Sequence, residues 1–326
     1  MRRVIKALCV LLSVLVVGLV GLGVWLYTVY SGVRNDPFSA FSSTAVGQTV
    51  SSNGSTYYTK DQIVHILILG IDSNESREAR NKGYRSDVMI LLTVDFQHNR
   101  MSTISIPRDT RVEMNRLDYT TGEVTSRTTN KINAAYAFGG GPDHYGAQNA
   151  MDCTEEFLSC NGQFDIPIDL YVSIDMDGIP QLVNTVGGVE VVLDRDLEGI
   201  GSEGETVTIT ESNADEYLRN RHTGGGDDGR AARQVEFIVQ ILKKIQEEGA
   251  MQLAPQLFSD FLTYGKTNMT MEQVLSLASM MDSVDIDDLT RYRVEGSGDT
   301  INGTWYYIAD MDALEQFILE EFYDQD

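Results

Sequence analysis

The segment YLRNRHTGGGDDGRAARQ, Tyr217–Gln234, gathers four arginines, Arg219, Arg221, Arg230 and Arg233, in a chain whose formal net charge is −23. Arg219 and Arg221 are two residues apart, so they share a side where the backbone is extended. Arg230 and Gln234 are four apart and share a face at the start of a helix read over Asp228–Glu248. A helix start brings unpaired N–H groups and the positive end of the dipole. The TGGGDDG stretch lets the backbone come close to a ligand. Forked guanidinium groups on both sides of a glycine hinge suit a polyanion such as a phosphate ester better than they suit a solvated helix face. Arg233 lies about 100° round the helix from Gln234, a supporting position.

A second set of charged residues flanks three apolar runs. Asp72 follows VHILILG (Val64–Gly70), Arg85 and Asp87 precede VMILLTVD (Val88–Asp95), and Arg108 and Asp109 follow MSTISI (Met101–Ile106). The continuous apolar runs predict buried strands. The short FQHNR connection predicts that the second and third pair as an antiparallel hairpin. With the strands running up, down and up, Asp72, Arg85, Asp87, Arg108 and Asp109 collect at one edge of the sheet, where open α/β sheets place ligands. Two facing carboxylates repel, and a divalent cation removes that repulsion. All-oxygen ligation by Asp72 and Asp87 suits Mg²⁺, with Mn²⁺ as the alternative. The competing reading is a set of surface Asp–Arg bridges worth little.

Further strands are expected at Leu170–Asp175 and Gly188–Leu193, with helices near 146–160 and 177–185. Val235, Ile238, Val239, Leu242 and Ile245 form one stripe of the helix read over Asp228–Glu248. Strands interleaved with helices indicate an α/β layered domain over residues 61–248, with residues 249–326 as a mostly helical appendage. Cys153 and Cys160 are too far apart on a helix for a disulfide, about 10 Å, and read as buried thiols.

At the N-terminus, Arg2, Arg3 and Lys6 precede an uncharged run, Ala7–Gly32, ending among Trp25, Tyr27 and Tyr30. The run exceeds the roughly 20 residues of a spanning helix and predicts an uncleaved anchor, residues 1–32, followed by a flexible linker, residues 33–60. The basic flank stays cytoplasmic, so the rest of the chain lies outside the cell. The acidity excludes general nucleic-acid binding. His65, His98, His144 and His222 have no zinc-ligand spacing, there is no G-x-S-x-G elbow, and YGKT (Tyr264–Thr267) lacks the first glycine of a Walker loop.

Together these segments resemble the LytR-CpsA-Psr family of cell-wall glycopolymer transferases. The matching signatures are ILGIDS, RSDVMILLTVD, SIPRDT, KINAAYAFGG, IPIDLYVSIDMDGIPQLVNTVGGVEV, and YLRNRH followed by DDGRAARQ, in the family's order over residues 64–242. The resemblance implies an α-β-α fold with a central mixed sheet behind one transmembrane helix, and a hydrophobic pocket for a polyprenyl chain with its pyrophosphate at the mouth. It implies that Asp72 and Asp87 hold Mg²⁺, and that Arg85, Arg108, Lys131, Arg219, Arg221, Arg230 and Gln234 bind phosphate oxygens or order the site. Asp87, Arg108 and Arg219 are the expected catalytic residues. The implied partners are a polyprenyl-pyrophosphate-linked glycopolymer such as teichoic acid, peptidoglycan and the membrane. The implied activity is transfer of the glycopolymer to a muramic acid hydroxyl as a phosphodiester. The rival readings are a phosphatase acting on the same lipid pyrophosphate and a membrane-bound transcriptional attenuator.

Overall fold

The computed structural model describes residues 28, 30–41, 48–52, 54–72, 84–220 and 226–325. Its first strands are β1 (Thr49–Ser52), β2 (Ser55–Thr59), β3 (Ile63–Asp72), β4 (Arg85–Asp95), β5 (Arg100–Ser105), β6 (Arg111–Leu117) and β7 (Val124–Lys131). Later come β8 (Leu170–Asp175), β9 (Val189–Val192), β10 (Thr206–Ile209), β11 (Gly265–Thr267), β12 (Thr290–Arg293), β13 (Gly296–Ile301), β14 (Thr304–Ala309) and β15 (Tyr323–Gln325). The α-helices begin with α1 (Ala135–Phe138), α2 (Gly146–Leu158), α3 (Ile179–Thr185) and α4 (Ala214–Arg219). They continue with α5 (Gly226–Glu248), α6 (Ala250–Tyr264), α7 (Met271–Met280) and α8 (Met311–Phe322).

A six-stranded sheet in the order β11-β8-β3-β4-β5-β12 forms the middle layer. The β3–β4 and β4–β5 pairs are antiparallel and β3–β8 is parallel, so the sheet is mixed. The apolar runs occupy its centre because they are covered on both faces: Leu67, Leu69 and Leu91 are each fully buried. On one face they meet α2 and α8, through Ala150, Leu158, Leu314 and Ile318. On the other face Ile66, Ile68 and Ile90 meet α5, through Val235 and Val239. The layers are therefore α-β-α, as the interleaved pattern predicts.

Two expectations are corrected. The tail does not stand apart as an appendage: β11 pairs with β8, and β12 extends the sheet in parallel beside β5. The region read as a linker contains β1 and β2, which form a hairpin joined by β15. Within the same region Val33 is buried, and Phe38 and Phe41 pack on Phe96. The strand expected at Gly188–Leu193 is present as Val189–Val192 and pairs with β10 in a separate two-stranded sheet. The cysteine reading is close: α2 stops at Leu158, Cys160 sits in a turn at φ 48°, and both thiols are free, buried and pushed up to about 12 by that burial. Among the described residues no helix is long and apolar enough to cross a membrane. The anchor read over residues 1–32 lies outside the described residues except at its last few positions.

Burial also gives the fold an acid-sensitive point. His65 on β3 sits under Phe322, at 4.9 Å between ring centroids, with Nδ1 3.0 Å from the Thr93 hydroxyl. Desolvation lowers its pKa from 6.5 to about 3. The folded value is depressed, so the unfolded chain binds the extra proton between these two values. The contribution of His65 to stability is full above about pH 6.5 and falls by about 1.4 kcal/mol per unit as pH drops towards 3. Chemical denaturation at stepped pH should show a shallower fall between about pH 6.5 and 5 in His65→Leu than in the native chain, and equal slopes would contradict it.

Candidate active site

The site lies at the sheet edge formed by the end of β3, the start of β4 and the turn after β5. Asp72 closes β3 and is the cross-strand partner of Arg85, the first residue of β4. The register shifts between Gly70 and Ile71: Gly70 faces Val88 while Ile71 faces Ser86, leaving Asp87 as an extra residue. A bulge of this kind bends the strand and re-aims its side chains. Gly70 belongs there because a Cβ would lie 2.7 Å from the Val88 methyl Cγ2.

Arg108 and Asp109 sit in the Pro107–Thr110 turn, closed by the Thr110 hydroxyl donating to the Pro107 carbonyl at 2.6 Å. Arg108 Nη1 donates to Asp87 Oδ2 at 2.6 Å, and Asn133 Nδ2 donates to Asp87 Oδ1 at 3.0 Å. Lys131, the last residue of β7, places Nζ 2.7 Å from Asp109 Oδ1, and Arg108 Nε is 3.6 Å from Asp109 Oδ2. The backbone secures this arrangement: Ile132 N–H donates to the Thr110 carbonyl and Asn133 N–H to that of Arg108. Two carboxylates, an arginine, a lysine and an amide from three distant segments thus form one network.

Arg219 ends α4 and lies 3.5 Å from Asp72 Oδ1, with Asp177 and Asp215 also paired to it. Immediately after it the chain leaves the helix, since Asn220 has φ −58° and ψ 125°. Arg221 lies outside the described residues. Arg230 and Gln234 share a face of α5, as their spacing predicts, and both are buried. They line a small cavity, about 50 Å³, together with Asp87, Arg108 and Asp109. An adjoining cavity of about 390 Å³ shares Ser105, Ala231 and Arg293 with it and is walled by Tyr217, Val235 and Tyr292.

Arg233 faces elsewhere. It is buried, and its guanidinium donates to the carbonyls of Tyr217 and Asn220. Gln234 Nε2 reaches the Leu218 carbonyl at 3.4 Å. These bonds strap the segment carrying Arg219 onto α5, the supporting role its helical angle suggests. Burial lowers the Arg233 pKa, and burial pushes Tyr217 beneath it up to about 12.

The sequence reading left out Asn133, Asp177, Arg293 and Trp305. Asn133 stands two residues after Lys131 in KINAAYAFGG and was within reach of that motif. Arg293 and Trp305 enter the site only because the tail folds back beside β5.

The arrangement can grip a polyanion and supply carboxylates to a hard cation or a hydroxyl proton. Its relatives are consistent with that chemistry. The model of the LytR_cpsA_psr family matches residues 31–321. The polyisoprenyl-teichoic acid–peptidoglycan teichoic acid transferase TagU of Halalkalibacterium halodurans is 31% identical over 313 residues, covering 94% of this chain and 93% of the relative. The protein of the same name in Bacillus cereus is 30% identical over 311 residues, 93% of this chain and 92% of its own. The crystal structure of B. subtilis TagV superposes with a TM-score of 0.63 at 27% identity, covering 78% of this chain and 93% of that one. That of B. subtilis TagU gives 0.56 at 27% identity, over 79% and 94%. With that match and relatives aligned along nearly its whole length, the chain belongs to the LytR_cpsA_psr family.

Proposed function

We propose that this protein is a membrane-anchored, extracellular phosphotransferase that moves a glycopolymer from a polyprenyl-pyrophosphate carrier to peptidoglycan. The observation that carries the reading is the Asp87–Arg108–Asp109–Lys131 network facing Arg230 and Gln234 across one cavity, beside the Asp72–Arg219 pair. Relatives that align along nearly the whole chain are named as teichoic acid transferases, which gives that anion site its substrate class.

In the reaction, a muramic acid hydroxyl attacks the phosphorus that bears the glycan. A new P–O bond forms, the pyrophosphate P–O bond breaks, and polyprenyl phosphate leaves with the electron pair. Arg108, Arg219, Arg230 and Arg85 bind the phosphate oxygens, joined by Arg221, two residues after Arg219 in the sequence. Their fixed charges stabilise the transition state, where most of the catalytic effect in phosphoryl transfer lies. Lys131 holds Asp109 beside Arg108, and either Asp87 or Asp109, which line the same cavity, would take the hydroxyl proton.

Asp72 and Asp87 fit a magnesium ion. They stand at the ends of neighbouring strands and offer only oxygen. Two carboxylates would leave the other positions to phosphate and water, the set Mg²⁺ prefers. When bound, the ion neutralises pyrophosphate charge, and Mn²⁺ would serve in its place. The apolar run Ala7–Gly32 anchors the protein, with the domain outside the cell.

The test uses the purified full chain in detergent, a sugar-bearing polyprenyl pyrophosphate and peptidoglycan. Transfer should stop on chelation and return with Mg²⁺ or Mn²⁺, and Asp72→Asn should raise the Mg²⁺ concentration needed for half-maximal rate. Transfer untouched by chelator, or an Asp72→Asn protein with the native metal dependence, would remove the metal from the account.

A further inference from the structure

We infer that Trp305 is a stacking platform for a sugar ring next to the pyrophosphate-binding arginines. This rests on the proposed phosphotransferase reading and adds a carbohydrate subsite to it. Trp305 is 48% exposed, a large apolar surface left in contact with water. It nevertheless lines the same cavity as Asp87, Arg108 and Arg230. An exposed indole beside a charged cleft places an apolar face where a ligand can lie.

The ring is also held in place. The β13–β14 hairpin turns at Asn302–Gly303, both at positive φ, and pairs Thr300 with Trp305 and Gly298 with Tyr307. A Cβ on Gly298 would fall 2.8 Å from Trp305 Cζ2 and Nε1, so the indole lies across that glycine. An aromatic ring laid over a strand glycine is a fixed arrangement. The hairpin in turn is tied to the catalytic turn. Tyr307 N–H donates to the Asp109 carbonyl at 2.9 Å, and Tyr307 bridges Thr110. Lys131 completes the link: its Nζ is 5.6 Å from the Trp305 ring centroid and 2.7 Å from Asp109 Oδ1.

Substrate chemistry sets what lies there. The phosphate under attack carries a sugar, and the attacking hydroxyl belongs to another sugar. Each pyranose therefore comes within a bond or two of the anion site, and each has a face of C–H groups that stacks on an indole. The shared ligand is a pyranose ring, from either the donor or the acceptor.

The chain has two tryptophans, so in a Trp25→Phe background Trp305 is the sole indole fluorophore. The full chain would be titrated with three probes: an N-acetylglucosamine–N-acetylmuramic acid disaccharide, a short-chain polyprenyl-pyrophosphoryl N-acetylglucosamine, and the same pyrophosphate without sugar. A sugar-bearing probe should shift the emission and the sugar-free lipid should not. In steady-state transfer, Trp305→Ala should raise one KM by about tenfold and leave kcat within about threefold. Trp305→Phe should recover most of the loss. A raised donor KM assigns the platform to the first sugar of the glycopolymer, and a raised acceptor KM assigns it to the muramyl ring. Unchanged KM values, a fall in kcat alone, or an equal emission shift with the sugar-free lipid would overturn the inference. A native enzyme without transfer activity would instead count against the phosphotransferase reading, and the emission titration would still decide the subsite.

Discussion

Arg108→Ala is expected to lower the rate of glycopolymer transfer by about 10²–10³, the loss typical when one pre-placed donor to a developing oxyanion is removed. Arg108 holds its guanidinium 2.6 Å from Asp87 and 3.6 Å from Asp109, with its side chain 19% exposed. It is the cation that joins the two carboxylates of the network. Removing it takes away the proposed forked phosphate ligand and the 2.6 Å ion pair with Asp87, while the Asn133 amide still donates to Asp87. Arg108→Lys should recover little, because an ammonium is a point charge and cannot reproduce a two-pronged contact. Initial rates on a lipid-linked donor check the prediction, with circular dichroism confirming that the variant is folded. Full activity in Arg108→Ala would mean that the phosphate is bound elsewhere.

Ending the chain at Leu289 is expected to leave no folded protein. The removed segment carries β12, α8 and β15, and its Val294, Leu314, Ile318, Leu319, Phe322 and Tyr323 are all buried in the core shared with α2 and the sheet. At about 1.5–3 kcal/mol for each buried side chain, their loss is on the order of 10 kcal/mol, as large as the whole stability of a typical domain. The cut would also uncover the edge of β5, a template for aggregation. Insoluble expression, or no cooperative thermal transition, is the predicted outcome. A soluble product melting close to the native temperature would mean that the tail is dispensable.

The heart of the site was legible because hairpin arithmetic is robust. Two apolar runs joined by a short turn must be antiparallel. Arg85, Asp87 and Arg108 then fall at one edge, Asp72 joins them once the first run is taken as antiparallel to the second, and the structure pairs the strands in that way. The four-residue spacing of Arg230 and Gln234 likewise carried through to a shared cavity. The bulge at Asp87 was not legible, because its only local trace is Gly70 on the opposite strand.

The role of the tail was hidden for a different reason. Strand β12, Thr290–Arg293, has no buried residue and no alternation, so nothing in its four residues names β5 as a partner. Helix α8 announces itself by Leu314, Ile318 and Phe322 at helical spacing, but periodicity gives a face and not its destination. The Asn302–Gly303 pair joins two short strands in a tight hairpin. Its consequence, an indole lining the same cavity as Arg108, depends on the bridge from Tyr307 to the Pro107–Thr110 turn.

Transfer to a peptidoglycan hydroxyl can be tested by identifying both products of one reaction. The purified full chain, Mg²⁺, a polyprenyl-pyrophosphoryl glycan and peptidoglycan would be incubated, and the products separated and weighed by mass spectrometry. The expected products are glycan joined to muramic acid through a single phosphate and an equal amount of polyprenyl monophosphate, neither of them formed when peptidoglycan is omitted. Release of free phosphorylated glycan at the same rate with or without peptidoglycan would show water to be the acceptor and contradict transfer to peptidoglycan.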